Sequence, residues 1–291
     1  MNNDSQPSPL RLLLLFLLFF VVPAGAGLYL APRLVATPKV GIIRLNYDID
    51  DVSAFEFREQ MAYVREARDV AAVVVILNSP GGAATFSEEL YLNILHARRS
   101  FPVVASVDVL AASGAYYVAA GANEIYAKPT SYIGSIGVIG LLPGPIYIDD
   151  RLVTTGPFKA FGGTEDAAIR QAERSKFAFL EAIRAARGEA LDVDLDVLAR
   201  GEIYDGLQAL EMGLIDGILS TDEAIARAAE LAGLADYETV ELYPLAFPED
   251  AGGPATTATT YQAPQLDFNR LWEAPTGAAP GHYFRYVVPS Q

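Results

Sequence analysis

The sequence predicts an α/β fold built from parallel crossover units, and three observations carry that expectation. Apolar runs at residues 40–45, 72–77 and 102–107 read as strands, and each is followed by a helical pattern, at 52–68, 88–99 and 115–122. The middle run is apolar almost throughout, as a parallel strand covered on both faces must be. Turn residues gather where the strands end, in Asn78-Ser79-Pro80-Gly81-Gly82 and around Ser113, the ends at which α/β sheets collect their sites.

Taken in order, residues 1–9 are polar, and residues 12–31 then run without a charge. At ~1.5 Å per residue that stretch makes roughly 30 Å of helix, the thickness of a bilayer core. Two readings fit it. A cleavable signal sequence would use 12–22 as its apolar region and Ala24-Gly25-Ala26 as a small-residue cleavage site. A retained anchor is favoured because the apolar run continues through Leu28-Tyr29-Leu30, with Tyr at interface depth. Arg11 on one side and Arg33 and Lys39 on the other leave its orientation open.

After the strand at 72–77, the glycine pair is read either as a tight turn or as an oxyanion site in which the N–H of Gly81 or Gly82 joins that of Gly114. Thr85 and Glu88 have the spacing of a capping box for the next helix. The strand at 102–107 leads into Asp108-Val109-Leu110-Ala111-Ala112-Ser113-Gly114-Ala115, which sets one hydroxyl at the start of an apolar helix. Free N–H groups and the positive dipole end there favour a nucleophilic oxygen and its oxyanion, although a plain N-cap is the commoner use of such a serine. Residues 124–127 read as a further strand, and 132–138 as a glycine-punctuated strand or turn in which Ser135 is at least a loop hydroxyl.

Composition restricts the chemistry. The chain has no Cys, which excludes thiol nucleophiles, thiolate metal sites and disulfides. Its two histidines lie in a helical pattern (His96) and in a Pro/Gly-rich tail (His282), neither a convincing general base. Lysine is the remaining candidate, and only four of the 21 basic residues are Lys: Lys39, Lys128, Lys159 and Lys176. A lysine base near neutrality needs its pKa brought from ~10.4 to roughly 7, about 4 kcal/mol in favour of the neutral amine. Lys159 sits in Gly156-Pro157-Phe158-Lys159-Ala160-Phe161-Gly162-Gly163, where Phe158 and Phe161 are expected to desolvate it. Lys176, on a polar helix at 165–187, is expected only to solvate a face. A net charge of −15 with no basic run argues against nucleic acid, and the chemistry outlined needs no cofactor, metal or nucleotide.

The motifs Asn78-Ser79-Pro80-Gly81-Gly82, Ala111-Ala112-Ser113-Gly114-Ala115-Tyr116-Tyr117, Gly134-Ser135-Ile136-Gly137-Val138, Gly156-Pro157-Phe158-Lys159 and Tyr204-Asp205-Gly206-Leu207-Gln208-Ala209-Leu210-Glu211-Met212-Gly213-Leu214-Ile215-Asp216 together resemble the signal peptide peptidase A family of membrane-bound serine proteases. The resemblance covers about residues 40–219. It implies a Clp/crotonase-like superhelix of repeated β-β-α units and a Ser/Lys dyad. Ser113 would be the nucleophile, Lys159 the base and Ser135 the hydroxyl that orients the lysine, with an oxyanion glycine in the Gly81-Gly82 turn. It further implies peptide substrates such as signal-peptide remnants, attachment to the cell membrane with the catalytic part outside the cytoplasm, and homo-oligomeric rings in which one chain's serine meets its neighbour's lysine. The chain departs from the family pattern at Ala115, where a second glycine is usual, and in the segment after Lys159, which is shorter and less polar. Two other functions stand beside the peptidase: an acyl-CoA enzyme of crotonase type, and a membrane-tethered scaffold without catalysis.

Beyond a helix at 222–232 and an edge strand at 239–242, the chain turns rich in Pro, Gly, Ala and Thr. The expected organisation is therefore an anchor or signal segment at 1–36, a protease domain at 37–243 and an irregular tail at 244–291. The tail is expected to be extended and to pack only locally. An alternative has its small-residue segment 276–281 imitating a substrate in an active site.

Overall fold

The computed structural model describes residues 9–27, 36–143, 153–160, 162–249 and 282–285. The chain divides into two compact units, Met1–Pro38 and Lys39–Gln291. In the first, Leu10–Gly27 is one apolar helical span with a π-helical turn at Leu17–Val21 and side chains exposed along its length. Its length and composition suit either a membrane span or a signal sequence.

The second unit is a mixed α/β structure around a parallel sheet. Its first strands are β1 (Lys39–Leu45), β2 (Val70–Ser79), β3 (Gly81–Ala83), β4 (Val103–Ala112), β5 (Glu124–Ala127), β6 (Tyr132–Gly134) and β7 (Ile139–Gly140). There follow β8 (Ile203–Asp205), β9 (Gly217–Ile218), β10 (Glu238–Glu241) and β11 (His282–Arg285). The main sheet runs β10-β1-β2-β4-β5-β9, with every neighbouring pair parallel. The expected crossover units are therefore present, with the helix Asp51–Glu66 between β1 and β2 and the helix Ala84–Ala97 between β3 and β4. The apolar run of β2 is explained by burial on both sides. Val73, Val75 and Leu77 belong to the larger core, whereas Ala72, Val74 and Ile76 pack with Ala224, Ala228 and Ala229 of the helix Thr221–Leu231. Arg227 of that helix donates to both carboxylate oxygens of Glu124, each at 2.8 Å, and so ties it to β5.

Several elements differ from the sequence reading. The helix Ala84–Ala97 is capped by no side chain, because its N-cap is Ala83, the last residue of β3, which carries no side-chain oxygen. Thr85 thus falls inside the first turn, and the expected Thr85/Glu88 box does not form. Strand β4 continues five residues past the expected end at 107. Its first half pairs with β5 (Val104–Val107 against Glu124–Ala127) and its second half with β6 (Leu110–Ala112 against Tyr132–Gly134). At the changeover, Asp108 is held by the Lys128 ammonium, and the Ser131 hydroxyl donates to the carbonyls of Val107 and Asp108.

The largest correction concerns the tail. It does not pack only locally. His282–Arg285 returns as the middle strand of a separate three-stranded sheet, β3-β11-β7, antiparallel to both neighbours. Composition concealed this because a short His-Tyr-Phe-Arg run with strand-forming aromatics stands among Pro, Gly and Ala. The segment 276–281 lies outside the described residues.

Candidate active site

The register of three parallel strands brings the motifs level. Ser79 of β2 is paired with Ala111 of β4, and Ala112 of β4 with Gly134 of β6. The glycine turn, Ser113 and Ser135 therefore leave the sheet side by side at its carboxyl end. Among the described non-glycine residues, only Ser113 and Ser135 have positive φ, at 54° and 53°. Such backbone costs of the order of 1–3 kcal/mol and persists only where the surroundings impose it. Here the Ser113 N–H donates to the Gly134 carbonyl and the Ser135 N–H to the Glu202 carbonyl, both at 2.7 Å. Ser113 stands at the N-cap position of the helix Gly114–Ala119, yet its hydroxyl makes no capping bond. The N-cap reading thus fails for the side chain, and the Oγ is left for other work in a position only 1% exposed.

A six-residue helix does not hold itself together, so tertiary packing must fix it. All six residues are buried. The Tyr116 hydroxyl donates to the Leu214 carbonyl at 2.7 Å, and the Tyr117 ring lies 4.6 Å from Phe179 and 4.9 Å from Tyr91 between centroids. Burial pushes both tyrosine hydroxyls well above their ordinary pKa, keeping them neutral. Ala115, the departure from the family pattern, is fully buried in the core.

The glycine turn is shaped by close backbone approach. Gly81 has φ 93°, and a β-carbon on Gly82 would lie 2.2 Å from the Ile49 carbonyl oxygen. Gly81 O accepts from the Ile49 N–H and Ala83 N–H donates to Ile49 O, both at 2.8 Å. Since alternate residues of a strand turn their polar groups to opposite edges, those of Gly82 face β11, where Phe284 is its partner. The Gly81 N–H donates to Ser79 Oγ at 3.1 Å, and that hydroxyl donates to the Tyr47 carbonyl at 2.6 Å. Ser79 is a residue that the sequence reading passed over. Its signal was a hydroxyl two residues before a turn glycine, the spacing of a side-chain-closed turn. Of the three candidate oxyanion donors, Gly81 is thus engaged by Ser79, Gly82 faces β11, and Gly114 opens a helix whose first N–H groups have no intrahelical acceptor.

The lysines separate clearly. Lys39 is paired with Asp69 at 2.8 Å, Lys128 with Asp108, and Lys176 with Glu173 at 2.5 Å. The hydrogen bond to Asp69 raises the Lys39 pKa above its ordinary value. Among the described residues, Lys159 alone of the four has no carboxylate partner. It is exposed on the turn where its N–H donates to the Gly156 carbonyl at 3.2 Å. Among the described residues Lys159 is exposed rather than covered. Phe158 is 46% exposed, Phe161 lies outside the described residues, and among the described residues no hydrogen bond joins Lys159 to Ser113 or Ser135. The fold therefore brings together Ser113, Ser135, Gly81, Gly82 and Gly114, but not Lys159. Among the described residues no group of three or more His, Asp or Glu is placed to hold a metal ion.

Residues 96–235 match Peptidase family S49, a stretch that includes Ser113, Ser135 and Lys159 but begins after the glycine turn. A putative protease of Synechocystis sp. is 33% identical over 191 residues, covering 61% of this chain and 68% of that protein. Protease 4 of Salmonella typhi is 31% identical over 191 residues, covering 60% of this chain and 31% of its own length. A putative signal peptide peptidase SppA of Enterococcus faecium is 30% identical over 202 residues, covering 64% and 58%. The chain thus spans about a third of the Salmonella protein.

Proposed function

Because the chain belongs to peptidase family S49, the signal peptide peptidase A family, we propose that it is a membrane-anchored serine endopeptidase working through a Ser113/Lys159 dyad. The observation that carries the reading is the level placement of Ser113, Ser135 and the glycine turn at one end of the sheet, with Ser113 buried, strained and uncommitted as a cap. In the proposed reaction the neutral Lys159 amine takes the proton from Ser113 Oγ as that oxygen bonds to the peptide carbonyl carbon. The displaced electron pair moves onto the carbonyl oxygen, which the Gly114 N–H stabilises, joined by the Gly81 N–H if it turns from Ser79 Oγ to the oxyanion. Collapse expels the amine, which takes its proton from the lysine ammonium, and water then releases the acyl group by the same steps in reverse. Ser135 orients the lysine. Among the described residues Lys159 has no carboxylate partner, and its exposure supports a dyad completed across a subunit contact in a homo-oligomeric ring.

The rest of the reading follows the family. The passage of β4 from β5 to β6 supports a Clp/crotonase-like superhelix over residues 37–243. The helix Leu10–Gly27 serves as the anchor, with the catalytic unit outside the cytoplasm and small apolar peptides, such as signal-peptide remnants, as substrates. The test mixes two inactive chains, Ser113→Ala and Lys159→Ala, under conditions of subunit exchange. In a ring with cross-chain dyads, random mixing in equal parts rebuilds about a quarter of the sites. A thoroughly exchanged mixture that stays inactive refutes the cross-chain dyad, and full activity of either single variant refutes the dyad itself.

A further inference from the structure

Ser79 is a buried hydroxyl to which the peptidase reading gives no part. Its own proton goes to the Tyr47 carbonyl at 2.6 Å, and its oxygen accepts the Gly81 N–H at 3.1 Å. Against the usual ~2.7–2.8 Å for O–H···O and ~2.9–3.0 Å for N–H···O, the bond to Tyr47 is the tight one and the bond from Gly81 the loose one. Ser79 is 0% exposed and Gly81 is buried beside it. The register sets both next to the nucleophile, since Ser79 is level with Ala111, two residues before Ser113.

The chain after Gly81 is pinned, and the peptide before it is not. Gly81 O accepts from the Ile49 N–H and the Ala83 N–H donates to Ile49 O, both at 2.8 Å, which fixes the next two peptides. Among the described residues, the peptide between Pro80 and Gly81 is held only through Ser79. It can turn by opposed rotations about ψ of Pro80 and φ of Gly81. The proline ring locks only its own φ, and Gly81, at φ 93° and without a β-carbon, resists neither hand of rotation. We propose that Ser79 is a positioning residue that holds the Gly81 N–H in the resting site and yields it to the oxyanion, so that Gly114 is joined by a second donor only as the tetrahedral centre forms. The proposal rests on the peptidase reading for the oxyanion itself. In Ser79→Ala the buried N–H has no acceptor in the free chain, so a ligand that puts an oxygen there gains a whole bond rather than an exchange of bonds, about ten-fold in affinity.

The test compares two probes on the full chain in detergent, a fluorescein-labelled Leu-Ala-Ala aldehyde and the matching alcohol. The aldehyde carbon bonds to Ser113 Oγ, and the serine proton ends on the former carbonyl oxygen, which takes the oxyanion's place; the alcohol forms no such bond. Fluorescence anisotropy should show Ser79→Ala binding the aldehyde about ten-fold tighter than wild type and the alcohol equally well. Ser79→Thr, which keeps the oxygen, should bind both as wild type does. A merely structural hydroxyl gives a different result, because its loss loosens the turn and weakens the aldehyde. Aldehyde binding that is unchanged or weaker in Ser79→Ala, or an equal change for both probes, overturns the proposal. If Ser79→Ala does not fold, a structure of the wild-type aldehyde complex decides. Gly81 N within hydrogen-bond reach of the new hydroxyl oxygen supports the proposal, and Gly81 N still on Ser79 Oγ overturns it. If the aldehyde binds wild type and Ser113→Ala alike, no bond to Ser113 has formed, and the peptidase reading fails and takes the proposal with it.

Discussion

Replacing Gly82 with Ala tests whether the glycine turn is held by backbone contact or is merely permissive. The added β-carbon would lie 2.2, 2.5 and 2.7 Å from the carbonyl oxygen, nitrogen and carbonyl carbon of Ile49. Atoms of these kinds settle at ~3.5 Å or beyond, so β3 and Ile49 must separate by about 1 Å. No flexible side chain can absorb the shift, because the obstructing atoms are all backbone. Both flanking hydrogen bonds, Ile49 N–H to Gly81 O and Ala83 N–H to Ile49 O at 2.8 Å, are then stretched or lost. At about 1 kcal/mol for each bond, plus part of the desolvation cost of the groups left unpaired, the expected destabilisation is about 3–5 kcal/mol. The same displacement moves the turn beside Ser113, and a misplacement of about 1 Å costs on the order of 100-fold in rate. Gly137→Ala is the control, since nothing lies within 4 Å of its added carbon. Urea unfolding in detergent gives the stability change, and hydrolysis of a chromogenic peptide gives kcat/KM. A Gly82→Ala chain within about 1 kcal/mol of wild type and with unchanged kcat/KM would refute the backbone argument.

Ser113→Gly and Ser113→Ala should both abolish hydrolysis, but the glycine variant should be the more stable by about 1 kcal/mol because it alone relieves the positive φ; equal unfolding midpoints would show that the position is not strained. Lys159→Arg should be as inactive as Lys159→Ala, since a guanidinium does not accept the serine proton, and substantial turnover by the arginine variant would make Lys159 a binding charge instead. Hydrogen bonds from Arg227 hold the Glu124 carboxyl below the usual carboxylate range. A folded-state pKa lowered in this way stabilises at neutral pH, and the contribution disappears as pH falls through that value. Wild type should therefore lose more stability than Glu124→Gln between about pH 6 and about pH 3, and parallel losses would remove the pair from the account.

The parts legible in the sequence were those in which local pattern and burial agree. The run at 72–77 predicted a strand covered on both faces, and β2 is one; the helix expected at 165–187 is found as Glu165–Arg187. Asp108 hid the continuation of β4, because a carboxylate inside a strand reads as its end unless a partner is known, and Lys128 stands twenty residues away. The side-by-side placement of Ser113 and Ser135 follows from the β4/β6 register, which motif order suggests but does not determine. Their positive φ was not legible, since it is imposed by carbonyls of Gly134 and Glu202 rather than by neighbours in sequence. Flanking aromatics speak for desolvation of Lys159 only where they fold over the amine; Phe158 is half exposed, and Phe161 lies outside the described residues. For β11, the partners lie far away along the chain, at Gly81–Ala83 and Ile139–Gly140, and no local pattern names them.

Labelling with a serine-directed fluorophosphonate tests the central claim most directly. The full chain is treated in detergent, digested, and mapped by mass spectrometry, alongside Lys159→Ala. The account predicts modification at Ser113 and at no other serine, with the rate reduced at least 100-fold in Lys159→Ala, as for loss of a general base. Labelling of a different serine, no labelling at all, or equal rates in the two chains would contradict it.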